Sequence, residues 1–487
     1  MTTGLDDRST DTVVALDGTC SLGRERLGGK AHSVNRMRAL GLPGPPAFAI
    51  TTDVCARYRA AGLPDEVWAG VVDAMRALEA DSGRRFADPS TSLPPLLVSV
   101  RSGAAQSMPG MMDTVLNLGL TPEAVAGLAA STGDRAWAED TDARFRRSYA
   151  EVVDPAGPPD DPWEQLRAAI GAVFRSWDSP RARVYRDRYG LDHDAGTAVT
   201  VQAMVFGNRD DASGTGVAFS RDPSTGDPVL YGEWVRGGQG EDVVSGTVTP
   251  VPIAAFADEM PALHAELAAA ASTLEAAYRD LVDVEFTVES GRLFVLQARA
   301  GKRSPTAALR IAVDLAATGT ITRDEALDRL TADHARGHLE ASATTGGETL
   351  ATGTGAGPGV ASGLVVTDPD DALDADGPVV LVRPFTAPDD VPAMYAAVAV
   401  VTEHGGTTSH AALVAREAGL PCVVGCGDGT VGTLAGRVVT VDGARGVVLA
   451  GDVTGEAGPR VVADWETTLL GWTGAATLAD LPARLGR

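Results

Sequence analysis

The chain is poor in cysteine, in net positive charge and in long apolar runs, and each shortage closes off a class of function. Four cysteines (Cys20, Cys55, Cys422, Cys426) are scattered through 487 residues. Cys422 and Cys426 stand four apart, but no second Cys or His pair at zinc spacing accompanies them, so they read as reduced thiols. Lys and Arg number 41 against 65 Asp and Glu, a net charge of −24. That balance argues against nucleic acid as a partner, which calls for a basic patch. No apolar run approaches the ~20 residues that span a bilayer. The opening stretch, Met1 to Asp11, is polar and acidic, unlike a signal peptide. The expected location is cytoplasmic, with no membrane partner. In so acidic a molecule, a cleft for a nucleotide triphosphate must gather positive residues locally.

The length exceeds what one core supports, so two or more domains are expected. Hydrophobic content of 44% with 22% charged residues is ordinary for a globular protein. Helix and strand patterns alternate to about residue 335, and residues 1–340 read as one α/β and α+β domain. From Ala341 to Gly363 the sequence ASATTGGETLATGTGAGPGVASG has no Lys or Arg and one leucine, Leu350. Such a stretch predicts a flexible linker, 341–363. The short runs GLVV, VVLV, AVAVVT, CVVG, RVVTVDG and GVVLA then predict a compact α/β domain over 364–455. A weakly patterned tail, 456–487, follows. No tandem repeat is found.

The most informative motif is TEHGGTTSHAALVAREAG, beginning at Thr402. Gly405, Gly406, Thr408 and Ser409 lead into His410, and an alanine-rich helical run follows. His410 is thereby placed in the first turn of a helix, where backbone N–H groups are unpaired and the dipole is positive. Those donors suit a phosphoryl group on the ring, and Ser409 suits an N-cap. A capped helix with a surface histidine uses the same residue types, but the glycines and hydroxyls favour the phosphoryl reading. His404 is the local competitor and precedes the glycines.

Other segments suit a nucleotide. Gly28-Gly29-Lys30 precedes a helix and places a cation where it can meet a phosphate, although a turn before a surface lysine reads the same way. Leu96 to Val100 predicts a buried strand with Arg101 at its end. The following loop holds Gly103, Gly110 and Met112 and can bring backbone amides close to phosphates. In DVEFTVESGRLFVLQAR (283–299) alternation predicts a hairpin with a three-residue loop, Ser290 to Arg292. That register sets Glu285 opposite Gln297 and Asp283 opposite Arg299 on one polar face, with Phe286 and Leu296 on the buried one. Hard oxygens on one face suit Mg²⁺ bridging phosphates, and a solvated face with a salt bridge is the alternative.

These blocks, in this order from about residue 22 to 450, resemble the pyruvate, phosphate dikinase family. The match includes PGPPAFAITT after Lys30, the block after Arg101, residues 201–250 and the histidine motif through Arg416. Within the 201–250 block, Gly214 and Gly216 read as a turn between strands, and Gln239 to Glu241 as a loop near the nucleotide. The resemblance implies an ATP-grasp nucleotide-binding domain followed by a swivelling phosphohistidine domain. It implies metal ligation by Glu285 and Gln297, with Asp283, Arg299 and Arg144 near the phosphates. The implied reaction moves the β-phosphoryl of ATP to His410, gives the γ-phosphoryl to phosphate, and passes the histidine's group to pyruvate. Mg²⁺ is the implied cofactor. TLLGWTGAA (468–476) resembles the lead-in to the family's pyruvate and phosphoenolpyruvate barrel, whose motifs are not found, so a separate barrel-bearing chain is expected. A different small-molecule acceptor and a nucleotide-sensing remnant are the alternatives.

Overall fold

The computed structural model describes residues 12–88, 93–106, 108, 111–240, 250–340, 347–407, 409–454 and 462–486. Two compact units divide the chain. The first is Met1–Val205 with Phe294–Gln297, and the second is Phe206–Leu293 with Ala298–Arg487. The first unit ends just after the last strand of the first sheet, within the stretch 1–340 expected as one domain.

The first unit is built on an antiparallel sheet of β1 (Val13–Ala15), β2 (Ala47–Ile50), β3 (Val98–Gly103), β4 (Thr114–Leu118) and β5 (Ala198–Ala203), in the order β1-β2-β5-β3-β4. Every residue of β2 and β5 is buried, as strands covered on both faces require. Helices Arg24–Ala39 and Pro162–Ser176 pack on this sheet. The latter starts as its sequence dictates: Asp161 accepts from the Trp163 N–H, and Pro162 fills the first turn. Residues 294–297 group here in part because the Val295 N–H donates to the Pro43 carbonyl at 2.7 Å.

The second unit holds two sheets. One comprises β6 (Gly214–Phe219), β7 (Tyr231–Arg236), β8 (Val251–Pro252), β9 (Val282–Glu289) and β10 (Arg292–Ala300), ordered β10-β9-β6-β7-β8. Trp234, Phe256 and Phe286 stack in its core. Gly214 and Gly216 lie inside buried β6 and form no turn, because a Cβ at either would strike the Trp234 or Phe286 ring. The turn between β9 and β10 is also shorter than expected. Ser290 and Gly291, both at positive φ, form a two-residue link, and Arg292 is already strand. Consequently Leu293 and Val295 are the buried residues, while Phe294 and Leu296 are half-buried. The burial phase then changes at Gln297 and Ala298, and the Asp283–Arg299 pairing survives.

The third sheet has β11 (Thr349–Thr352), β12 (Thr354–Gly357), β13 (Val360–Val366), β14 (Val379–Arg383), β15 (Ala399–Thr402), β16 (Cys422–Val424), β17 (Val438–Asp442) and β18 (Val447–Ala450), ordered β11-β18-β17-β13-β14-β15-β16-β12. The apolar runs read from the sequence are these strands. Val379 and Leu381 enter one core with Val400 and the helix His410–Ala418, while Val380 and Val382 enter the opposite core with Val401 and Val439. The expected linker 341–363 is corrected in part. Residues 341–346 lie outside the described residues, but from Thr349 onward the stretch is β11, β12 and the start of β13. Its small residues serve close contact: Cβ atoms at Gly353, Gly355 and Gly357 would strike the carbonyls of Val424, Gly443 and Leu420.

The expected tail is corrected too. Helices Asp464–Thr473 and Leu481–Leu485 join the core of helix Pro305–Ala317, with Leu469 and Leu481 fully buried. Each such leucine contributes roughly 1.5–3 kcal/mol. His338 Nε2 meets Glu466 Oε1 at 2.8 Å and its Nδ1 meets Thr306 Oγ1 at 2.8 Å, all inside that core.

Candidate functional site

The parallel strands β14, β15 and β16 present their carboxyl ends side by side, the edge at which open α/β sheets place their chemistry. His410 is the first residue of the helix after β15, and Ser409 caps it by accepting the Ala412 N–H at 3.4 Å. Thr386, in the loop after neighbouring β14, meets His410 Nδ1 with its hydroxyl at 3.0 Å. Asp390 holds that loop by accepting the Ala387 N–H at 2.9 Å, and Arg383 stands 3.7 Å from its carboxylate. Burial pushes the His410 pKa below the ordinary histidine value, and the Asp390 carboxylate works in the opposite direction. The ring is therefore neutral at neutral pH, and its Nδ1 is engaged by the Thr386 hydroxyl.

The glycines before it are buried and spatially committed. Gly405 has φ +100°, and a side chain at Gly406 would meet the Glu233 carboxylate. Glu233, buried on β7, accepts the Thr407 N–H. Arg416 donates to the Thr407 carbonyl at 2.6 Å and to the Ala356 carbonyl at 3.0 Å, with its guanidinium 5.5 Å from the Phe219 ring centroid. Burial lowers the Arg416 pKa, opposed first by the Asp283 carboxylate. Thr408 lies outside the described residues. Sequence reasoning missed Thr386, Asp390 and Glu233, and it quoted Arg416 without a role. Nothing local marks them, because each acquires its position from strand order.

In the first unit the structure brings together two of the expected nucleotide segments. Gly28 leaves helical geometry inside helix Arg24–Ala39, at φ 71° and ψ 164°. A Cβ there would strike the Gly103 carbonyl, and the Gly29 N–H donates to the Ala104 carbonyl at 2.8 Å. Lys30 thus enters the helix beside Gly103, at the end of the strand that carries Arg101. Met112 is half-buried next to Asp113, which pairs with Arg181. Gly110 lies outside the described residues. Arg144 pairs with Asp140 on its own helix at 2.9 Å.

In the second unit Asp283 is buried on β9 and accepts from Arg299 Nε at 2.8 Å. Its other oxygen, Oδ1, is buried with no hydrogen-bond partner among the described residues. Glu285 is half-buried on the same strand, in register with Val217. Gln239 is buried and donates to Asn208 at 3.2 Å, while Glu241 lies outside the described residues. Gln297, on the portion of β10 that belongs to the first unit, also buries its amide oxygen without a partner among the described residues. Buried acceptor oxygens left without donors suit a hard cation.

Two families match the chain. "Pyruvate phosphate dikinase, AMP/ATP-binding domain" matches residues 58–266, and "PEP-utilising enzyme, mobile domain" matches residues 375–446. Pyruvate, phosphate dikinase from Clostridium symbiosum is 39% identical over 505 residues, covering 90% of this chain and 57% of its own length. The Rhizobium meliloti (strain 1021) protein of that name is 40% identical over 517 residues, covering 88% and 56%. The chloroplastic pyruvate, phosphate dikinase 1 of Oryza sativa subsp. japonica is 41% identical over 474 residues, covering 86% and 50%. The chain spans about half the length of the curated relatives it matches.

Proposed function

We propose, starting from a chain that belongs to the pyruvate, phosphate dikinase family through its AMP/ATP-binding and mobile domains, that it forms a phosphohistidine on His410 from the β-phosphoryl of ATP. The γ-phosphoryl goes to inorganic phosphate. The observation that carries this reading is the setting of His410: first in its helix, neutral through burial, and held at Nδ1 by Thr386.

The assigned roles follow from the chemistry. With the Nδ1 proton directed at Thr386 Oγ1, the lone pair lies on Nε2, which attacks the β-phosphorus; the bond bridging the α- and β-phosphoryl groups breaks and AMP leaves, and inorganic phosphate then takes the γ-phosphoryl from the histidine-bound group to leave as pyrophosphate. The N–H groups of the first helical turn then face the new phosphoryl group. Lys30, Arg101 and Arg299 balance triphosphate charge, and Arg144 is assigned there by the resemblance alone. Gly103 and Met112 shape the loop, and Gly405, Gly406 and Ser409 shape the approach to His410; Gly110 and Thr408 are assigned to those two segments by the resemblance alone. Glu285 and Gln297 would hold Mg²⁺, with Asp283 assigned to the phosphates; the partnerless amide oxygen of Gln297 is of the kind a hard cation takes. Bound Mg²⁺ neutralises phosphate charge. Residues 1–340 are read as the ATP-grasp nucleotide-binding domain and the eight-stranded domain as the swivelling carrier. A separate barrel-bearing chain is the proposed site of onward transfer to pyruvate, and the cytoplasm the proposed location. No helix among the described residues is long and apolar enough to cross a membrane.

The test uses the purified chain, ATP labelled at β or γ, and phosphate. Acid-labile β-label on His410, with γ-label recovered in pyrophosphate, is expected. γ-label that stays on the protein after excess phosphate is added, or no incorporation of either label, would overturn the reading.

A further inference from the structure

Glu403, His404 and Asp428 place three ligand atoms within 4.8 Å of one another, one imidazole nitrogen and two carboxylate oxygens. Topology brings them together: Glu403 and His404 follow β15, and Asp428 follows the adjacent parallel strand β16. The two loops are tied at the backbone, since the Cys426 N–H donates to the Thr402 carbonyl at 3.0 Å and the Gly427 N–H to the Glu403 carbonyl at 2.9 Å. His404 is fixed at both of its own backbone groups: its N–H donates to the Pro384 carbonyl at 2.9 Å, and its carbonyl accepts from Thr402 Oγ1 at 2.7 Å. One Glu403 oxygen accepts the Val431 N–H at 2.8 Å, which orients the carboxylate.

We propose that Glu403, His404 and Asp428 form a zinc-class divalent-metal site at the root of the loop that carries His410. The spacing suits such an ion. Two ligands on a tetrahedral zinc stand about 3.4 Å apart at ordinary bond lengths, and His404 Nε2 lies 3.3 Å from Asp428 Oδ1. One imidazole and two carboxylates give a net charge of −2 from the ligands, and three protein ligands leave a coordination position for water. An occupied site would join the loops after β15 and β16 through their side chains, in addition to their backbone contacts. The site shares no residue with the phosphoryl chemistry assigned to His410, and its test reads metal directly, so the two readings fail separately.

The experiment titrates tag-free, chelator-treated full chain with Zn²⁺ against a chromophoric competitor, and with Co²⁺ monitored by its visible absorption. One Zn²⁺ per chain and tetrahedral Co²⁺ bands are expected. His404→Ala and Asp428→Asn should each weaken binding by about tenfold or more, with unchanged circular dichroism. Glu403→Gln keeps an acceptor for Val431 and should also weaken binding. His410→Asn should leave the titration unchanged. Absence of stoichiometric binding, binding indifferent to the His404 and Asp428 changes, or binding lost with His410→Asn would each overturn the proposal.

Discussion

Two stretches of the second unit depend on glycine and use it for opposite ends. In β11 to β13, Gly353, Gly355 and Gly357 let backbones touch at the edge of a sheet. In the loop before His410, Gly405 turns the chain at positive φ, and Gly406 leaves room for the Glu233 carboxylate to reach the Thr407 N–H. The first use is structural and carries no chemistry; the second presents one reactive side chain. Glycine content alone reports space, and only the neighbours decide whether that space is filled by backbone or kept for a ligand.

The contrast breaks most completely at His410. His410→Asn is expected to reduce acid-labile β-label to background, and mass mapping that found the label on His404 would refute the assignment. Glu285→Ala removes a carboxylate from the proposed metal site, and a fall in labelling rate of about 10²–10³-fold is expected in single-turnover measurements. Gly355→Ala tests the other stretch. Its new methyl meets the Gly443 carbonyl, so roughly 1–3 kcal/mol of stability should be lost. Denaturant midpoints should fall while labelling per folded molecule persists, and an unmoved midpoint would restore the tether reading. Thr386→Val removes the partner of Nδ1, and rapid quench should show roughly tenfold slower phosphorylation.

The smallest effect concerns pH. Burial lowers the His410 pKa, so labelling should persist as pH falls through the ordinary histidine value of about 6.5 and fail only below it. The linkage has the same sign. The unfolded ring takes its proton first, so this histidine's contribution to stability is lost as pH falls below that value. Asp390→Asn removes the opposing charge while keeping an acceptor for Ala387, and the acid limb of the rate profile should move to lower pH. Movement to higher pH would show that Asp390 does not act through charge.

Much of this was legible in the residues. The valine-rich runs named β13 to β18 because both faces of that sheet are buried, and His410 was placed at its helix start by Ser409 and the glycines. The Asp283–Arg299 pair was also readable, although Ser290-Gly291 closes the hairpin one residue earlier than expected. Thr386 and Asp390 were not readable, since their value depends on β14 lying next to β15. The stretch after residue 347 and the final helices were misread for the same reason. Their sequences show small or weakly periodic side chains, and the partners that order them, Val424, Gly443 and the helix Pro305–Ala317, are distant in the chain.

The His338–Glu466 contact has a consequence for how this molecule can be edited. Helix Ala332–Glu340 precedes the eight-stranded domain and helix Asp464–Thr473 follows it, yet the two are joined by a 2.8 Å bond inside one core. In genetic terms the intervening domain is a cassette, with its exit and re-entry points side by side. Excision of 347–454 with a short Gly-Ser join should leave a soluble platform that retains the Leu469 and Leu481 packing, and another compact domain whose ends lie close together could be spliced into the same gap.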